Sequence, residues 1–200
     1  MQRPSQVTSS DRRLLRVMGV DPGLTRCGVA MVEGGYGRPL TLVAVGVIRT
    51  PADQDTSRRL LRIHNELEEW CQTYRPDQVA IERVFAQHNR STVTGTAQAC
   101  GLAMVVGARH GLPVALHTPS EVKAAISGSG RADKAQVGLM VARVLHLAAP
   151  PRPADAADAV ALAICQIWRG AADQRLADAA AAQRAALGGR RPRSWKDLAR

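Results

Sequence analysis

A single acid set between two apolar runs constrains this chain more than any other feature. Residues 16–32 read RVMGVDPGLTRCGVAMV. Val17, Met18 and Val20 have the composition of a buried strand, Pro22 and Gly23 demand a turn, and residues 28–32 open a second strand. Asp21 then stands at the end of the first strand, on rigid backbone. A carboxylate beside a buried strand is costly to desolvate and needs a compensating partner. It is either a turn former that accepts backbone N–H bonds, or a metal ligand or phosphate-site acid. Taken alone, the segment favours the turn former; the other acids of the chain reverse that.

After the hairpin, residues 40–49 are rich in Val, Leu and Ile and predict a third strand, giving an antiparallel meander. The period then changes. Leu60, Leu61, Ile63, Leu67 and Trp70 recur at helical spacing over residues 55–74, and Arg75-Pro76-Asp77 ends the helix. QVAIE at 78–82 reads as a short buried strand that again ends in an acid. Residues 90–110 hold Gly95, Ala97, Ala99, Gly101, Ala103, Gly107 and Ala108, which predicts a helix buried on most sides, as a core helix or a dimer seam. A strand over 114–116 follows. Thr118-Pro119-Ser120-Glu121 and Asp133 with Gln136 each have the form of a capping box. Residues 128–131 form a loop, 133–145 a helix and 154–169 the last helix of the body. Three strands followed by helix–strand alternation predict an α/β mixed sheet, with the first strand between the second and the fourth.

The 200 residues suffice for one domain with a full core, and the net charge of +10 points to a polyanion such as nucleic acid. Residues 1–18 and 171–200 carry +7 of that charge, so the body is only mildly basic. Solubilising tails explain part of the excess equally well. The four cysteines show no CxxC spacing, which argues against zinc and reads as reduced thiols in a cytosolic protein. No signal peptide is expected before the first strand, and no apolar run approaches a membrane span.

Three places carry the acids. Asp21 and Glu82 lie at the C-terminal ends of neighbouring central strands, the edge where open α/β sheets bind ligands. Asp155 and Asp158, in DAADAVALA, share one face of the last helix. Asp155 suits a helix N-terminus in its own right, but Asp158 sits among Ala157, Ala159, Val160 and Leu162. Four converging acids repel one another unless cations lie between them. Mg²⁺ or Mn²⁺ suits such oxygen donors, and two ions can clamp a displacement at phosphorus. The basic balance then indicates a nucleic-acid phosphodiester.

GVDPGLTRCG, AIERVF, GSGRADKAQV and DAADAVALA, in this order and spacing, resemble the RuvC-type Holliday-junction resolvases over about residues 16–170. The resemblance implies a ribonuclease-H-like fold with a five-stranded mixed sheet flanked by helices. Residues 16–170 would be the nuclease domain, 1–15 a disordered basic extension and 171–200 an Ala/Arg-rich tail. It implies that Asp21, Glu82, Asp155 and Asp158 are catalytic and bind two Mg²⁺ ions, replaceable by Mn²⁺. Phe85 matches a loop aromatic that touches bases, and Lys123 and Lys134 match phosphate-facing lysines. The implied protein is a homodimeric endonuclease of the bacterial cytoplasm, nicking four-way junction DNA symmetrically, with RuvA and RuvB as branch-migration partners.

The residues support Phe85 independently. It is the one Phe of the chain, three positions beyond Glu82, and a polar run, Gln87 to Arg90, follows it, which favours a stacking residue over a core plug. Arg83, Arg90 and Arg131 can contact phosphate or serve as surface charges. Three rivals stay open. The Asp21-Pro22-Gly23-Leu24-Thr25 pattern suits a sugar-kinase-like ATPase, although the chain has room for one of its two halves. A non-catalytic junction-binding protein would not need four converging acids. Another ribonuclease-H-like nuclease is excluded only through the motifs.

Overall fold

The computed structural model describes residues 14–35, 37–84 and 90–187, with side chains described over 14–35, 37–84 and 93–170. Among the described residues five strands and five helices run β1 (Leu15–Asp21), β2 (Arg26–Gly34), β3 (Thr41–Arg49), α1 (Thr56–Tyr74), β4 (Gln78–Glu82), α2 (Arg90–Arg109), β5 (Val114–His117), α3 (Pro119–Ser127), α4 (Lys134–Val144) and α5 (Ala154–Leu187). They form one sheet in the order β3-β2-β1-β4-β5. β1, β2 and β3 are antiparallel neighbours, while β4 runs parallel to β1 and β5 parallel to β4. The meander, the central place of β1 and the mixed sheet are as expected.

The period of two along the strands sorts the core into two layers. Val17, Ala30, Val32 and Ala80 pack with Val122, Val141, Val160 and Ile164 under α3, α4 and α5. Met18, Val20, Val29, Met31, Val79 and Ile81 pack on the other face with Ile63, Leu67, Ala103 and Val106 of α1 and α2. Asp21 and Glu82 share the parity of Val17 and Ala80, so both fall on the α5 face. Gly19 and Gly28 let α5 approach that face closely. A Cβ at Gly19 would run into the carbonyl oxygen of Ala159, and one at Gly28 into that of Asp155. Helix backbone therefore lies directly on sheet backbone.

Local signals set the helix ends. Thr118 Oγ1 accepts from the Glu121 N–H at 3.2 Å, and the Glu121 carboxylate accepts from the Thr118 N–H at 2.8 Å. Asp133 and Gln136 exchange the same pair of bonds at the start of α4. α1 ends at Arg75, which adopts a left-handed conformation with φ 48°.

Two elements differ from the sequence reading. α2 is not buried on most sides: Ala99, Cys100, Ala103 and Val106 face the core, but Met104 and Val105 are 41% and 51% exposed. Some of its small residues serve the core face, where Gly95 meets Leu24 and Gly107 meets Val114 and Val79, while Ala97 and Ala108 are exposed. α5 continues past residue 169 to Leu187. Residues 171–187 are Ala-rich and hold neither Gly nor Pro, so helix propensity alone favours continuation until Gly188.

Candidate active-site cleft

The parallel register aligns Val20 with Ile81, which sets the next residues, Asp21 and Glu82, side by side at the strand ends. α5 begins above them, with Asp155 and Asp158 in its first turns. The four carboxylates line one cleft of about 280 Å³, together with Lys123, Lys134, Pro119 and Val137. Asp21, Asp155 and Asp158 are half-buried, and Asp155 and Asp158 are each already paired. Arg26 Nε donates to Asp155 Oδ2 at 2.6 Å, and Lys134 Nζ to Asp158 Oδ2 at 2.8 Å.

The electrostatics follow from this crowding. Burial, then the charges of Glu82, Asp158 and Asp155, pushes the Asp21 carboxyl up to about 8, with Lys134 opposing the rise. Burial and Asp158 also raise Glu82, while Lys134 and Lys123 lower it. The bond to Asp158 holds the Lys134 ammonium above the usual lysine range. The two basic side chains thus offset only part of the acid charge.

An all-oxygen donor set of this kind suits a hard divalent cation. Burial first, and then the three neighbouring acids, raise the Asp21 carboxyl, and a cation among the acids would offset the second cause. Among the described residues no three acids or histidines gather closely enough to enclose an ion as they stand, and Arg26 and Lys134 occupy two of the carboxylates. The donor chemistry fits such an ion once those two side chains yield.

The cleft brings together six of the residues singled out in the sequence: Asp21, Glu82, Asp155, Asp158, Lys123 and Lys134. Arg83 and Arg131 are exposed outside it, and Arg83 uses its backbone N–H to bond the His117 carbonyl at 2.8 Å. Phe85 and the Arg90 side chain lie outside the described residues. Arg26 was missed, although it lies in the same DPGLTR turn as Asp21. Its role depends on a partner far along the chain. Gly28 was missed as well, since it reads as an ordinary start of a strand. His117 extends the row of strand ends beside Glu82, yet it is 6% exposed and its Nε2 sits 2.7 Å from Gln166 Oε1, a partly buried bond away from the cleft lining.

Among the described residues no helix is long and apolar enough to cross a membrane. The family model for crossover junction endodeoxyribonuclease RuvC matches residues 17–166. A crossover junction endodeoxyribonuclease RuvC of Cutibacterium acnes is 73% identical over 193 residues, covering 96% of this chain and 97% of its own. One from Thermobifida fusca is 66% identical over 165 residues, with 82% and 91% covered. The structure of Thermus thermophilus RuvC in complex with a Holliday junction substrate matches with a TM-score of 0.76 at 31% identity, over 80% of this chain and 96% of that one. The yeast mitochondrial Holliday junction resolvase Ydc2 shares the fold, with a TM-score of 0.57 at 11% identity over 84% of this chain and 86% of its own.

Proposed function

The chain belongs to the RuvC family of crossover junction endodeoxyribonucleases, and we propose that it resolves four-way DNA junctions by paired symmetric nicks at the cleft of Asp21, Glu82, Asp155 and Asp158. The observation that carries this reading is the convergence of those four carboxylates from β1, β4 and α5 within the matched segment. It is an enzyme, a hydrolase of phosphodiester bonds in recombination and repair of DNA. The rival ATPase and binding-protein readings leave the four acids without a task.

The carboxylates would hold two Mg²⁺ ions, with Mn²⁺ able to substitute; when bound they supply Lewis acidity at phosphorus and a more acidic attacking water. The protein's own residues do the rest. Asp21 and Glu82 present oxygens from rigid strand ends, and Arg26 holds Asp155 Oδ2 before it yields to an ion. Lys123 and Lys134 line the cleft as ammonium groups that can pair with the non-bridging oxygens of the scissile phosphate. Phe85 stacks on a base near the crossover, and Arg83, Arg90 and Arg131 contact the backbone of the arms.

Paired nicking needs two sites at a fixed separation, which calls for a homodimer. The exposed apolar side of α2, with Ala97, Met104 and Val105, supports that helix as the seam. In this reading the partners are RuvA and RuvB and the compartment is the bacterial cytoplasm. The test is cleavage of a synthetic four-way junction in Mg²⁺ beside linear duplex and RNA–DNA hybrid. Paired nicks on the junction alone are expected. Equal cleavage of hybrid or duplex would overturn junction selectivity, and binding without cleavage would return the non-catalytic reading.

A further inference from the structure

A second cavity, of about 520 Å³, lies between the β1–β2 turn, the first turn of α1 and the N-terminal half of α2. Thr25, Arg26, Thr56, Arg59, Thr94 and Thr96 line it. Arg26 joins it to the carboxylate cleft, because the same side chain pairs with Asp155. Among the described residues no acid lines this cavity.

Arg59 is the unusual member. It is 7% exposed. Its Nε donates to Thr50 Oγ1 at 2.9 Å and its Nη2 to Thr25 Oγ1 at 2.7 Å, both neutral hydroxyls. Among the described residues no carboxylate pairs with it. A guanidinium taken out of water with neutral partners keeps its full charge in a medium that screens poorly. The stable complement is an anion that reaches the cavity and accepts from hydroxyls and guanidinium together. The first turn of α1 holds no acid, and Asp55 at its N-cap makes no side-chain cap bond.

We propose that this cavity seats a second phosphodiester of the cleaved DNA strand, a near neighbour of the scissile one, with Arg59 and Arg26 supplying the charge and Thr25, Thr94 and Thr96 the hydroxyl donors. The inference rests on the nuclease reading above. Holding a neighbouring phosphate fixes the register of the strand, so the scissile phosphate is delivered to the carboxylates rather than sliding past them. Arg26 lines this cavity and pairs with Asp155 of the carboxylate cleft, which links the two positions.

Arg59 also has a structural task. Thr50, to which it donates, bonds Leu24 O through its hydroxyl at 2.5 Å and Thr25 O through its N–H at 3.1 Å. The decisive variants therefore change the cavity elsewhere. Thr94 is exposed on α2, so Thr94→Glu and Thr94→Val alter the cavity's charge and hydroxyls without touching the Arg59 bonds. Junctions carrying a single neutral methylphosphonate, scanned along the cleaved strand, are bound by the full chain in Ca²⁺. In the parent, one position flanking the scissile phosphate should cost about tenfold in affinity. Thr94→Glu should bind the unmodified junction about tenfold more weakly and lose that positional penalty, while Thr94→Val shows a smaller form of the same coupling. Equal penalties in parent and variants at every position would overturn the site, because the loss would then be general electrostatics. Cleavage of the unmodified junction by the parent, run alongside in Mg²⁺, separates the failures. With cleavage intact and no coupling, only this site falls; with neither binding nor cleavage, the nuclease reading falls and the site with it.

Discussion

The carbonyl oxygen of Asp155 occupies the place where a side chain on Gly28 would begin. Gly28 is also the partner of Asp21 across β1 and β2. One bare backbone position therefore sets how near the helix acid comes to the sheet acid. Gly28→Ala should lift the start of α5 away from β2, at a cost of about 1–3 kcal/mol in stability and a far larger loss of cleavage, about 100-fold. Denaturant melts and single-turnover cleavage of a junction measure the two. Cleavage at the parental rate would mean that α5 can shift without disturbing the acids.

Asp21→Asn should abolish cleavage while leaving junction binding intact or tighter, since the change removes negative charge near the DNA. It should also stabilise the protein in the absence of divalent cations. The folded Asp21 keeps its proton to about pH 8, whereas the free side chain loses it near 3.8. Between those values the folded state binds the extra proton, so this group's stabilising contribution falls as pH rises. Parent and variant should melt alike near pH 4, and the variant should melt a few degrees higher at pH 8, a gap of about 3 °C or more. Added Mg²⁺ should close that gap by raising the parent. Melting curves that run parallel across the whole pH range would contradict the assignment.

Val105 stands half out of α2, next to exposed Met104. With α2 as the seam, Val105→Glu would bury two like charges across a two-fold interface. Light scattering at micromolar concentration should show a dimer for the parent and a monomer for the variant. Nicks made by the variant should lose their pairing on opposed strands. A monomeric parent that still nicks in pairs would refute the seam.

Charge and shape should separate by segment. Residues 188–200 carry five Lys or Arg and one Asp, a net of +4. Removing them should weaken binding to junction and duplex alike and flatten the salt dependence, because fewer counterions are released. Phe85→Ala removes no charge, so the salt slope should hold while single-turnover cleavage falls more than binding. Loss of junction preference in the truncation, with Phe85→Ala silent, would reverse these roles.

Features written in neighbouring residues were legible in the sequence. The strand ends at Asp21 and Glu82 follow from short apolar runs that stop at an acid, and both capping boxes follow from a spacing of three. Asp158 stood out because a charge among Ala, Val and Leu needs a destination. What escaped depends on tertiary approach. Arg26 meets Asp155 across 129 positions, and nothing in its local pattern separates it from a surface arginine. Gly28 looks like a weak strand residue until a helix is laid on it. The exposed side of α2 was hidden because Ala and Gly suit buried and open positions equally, so the pattern of small residues carried no direction.

The close seating of α5 on Gly19 and Gly28 has a consequence for synthesis. Asp21 and Glu82 emerge from the ribosome early, but Asp155 and Asp158 belong to α5 and emerge only after all five strands of the sheet. A nascent or prematurely terminated chain that stops before residue 154 carries half the acids and none of the helix that completes the cleft. If the four acids are the catalytic set proposed above, truncated translation products of this protein should be born unarmed.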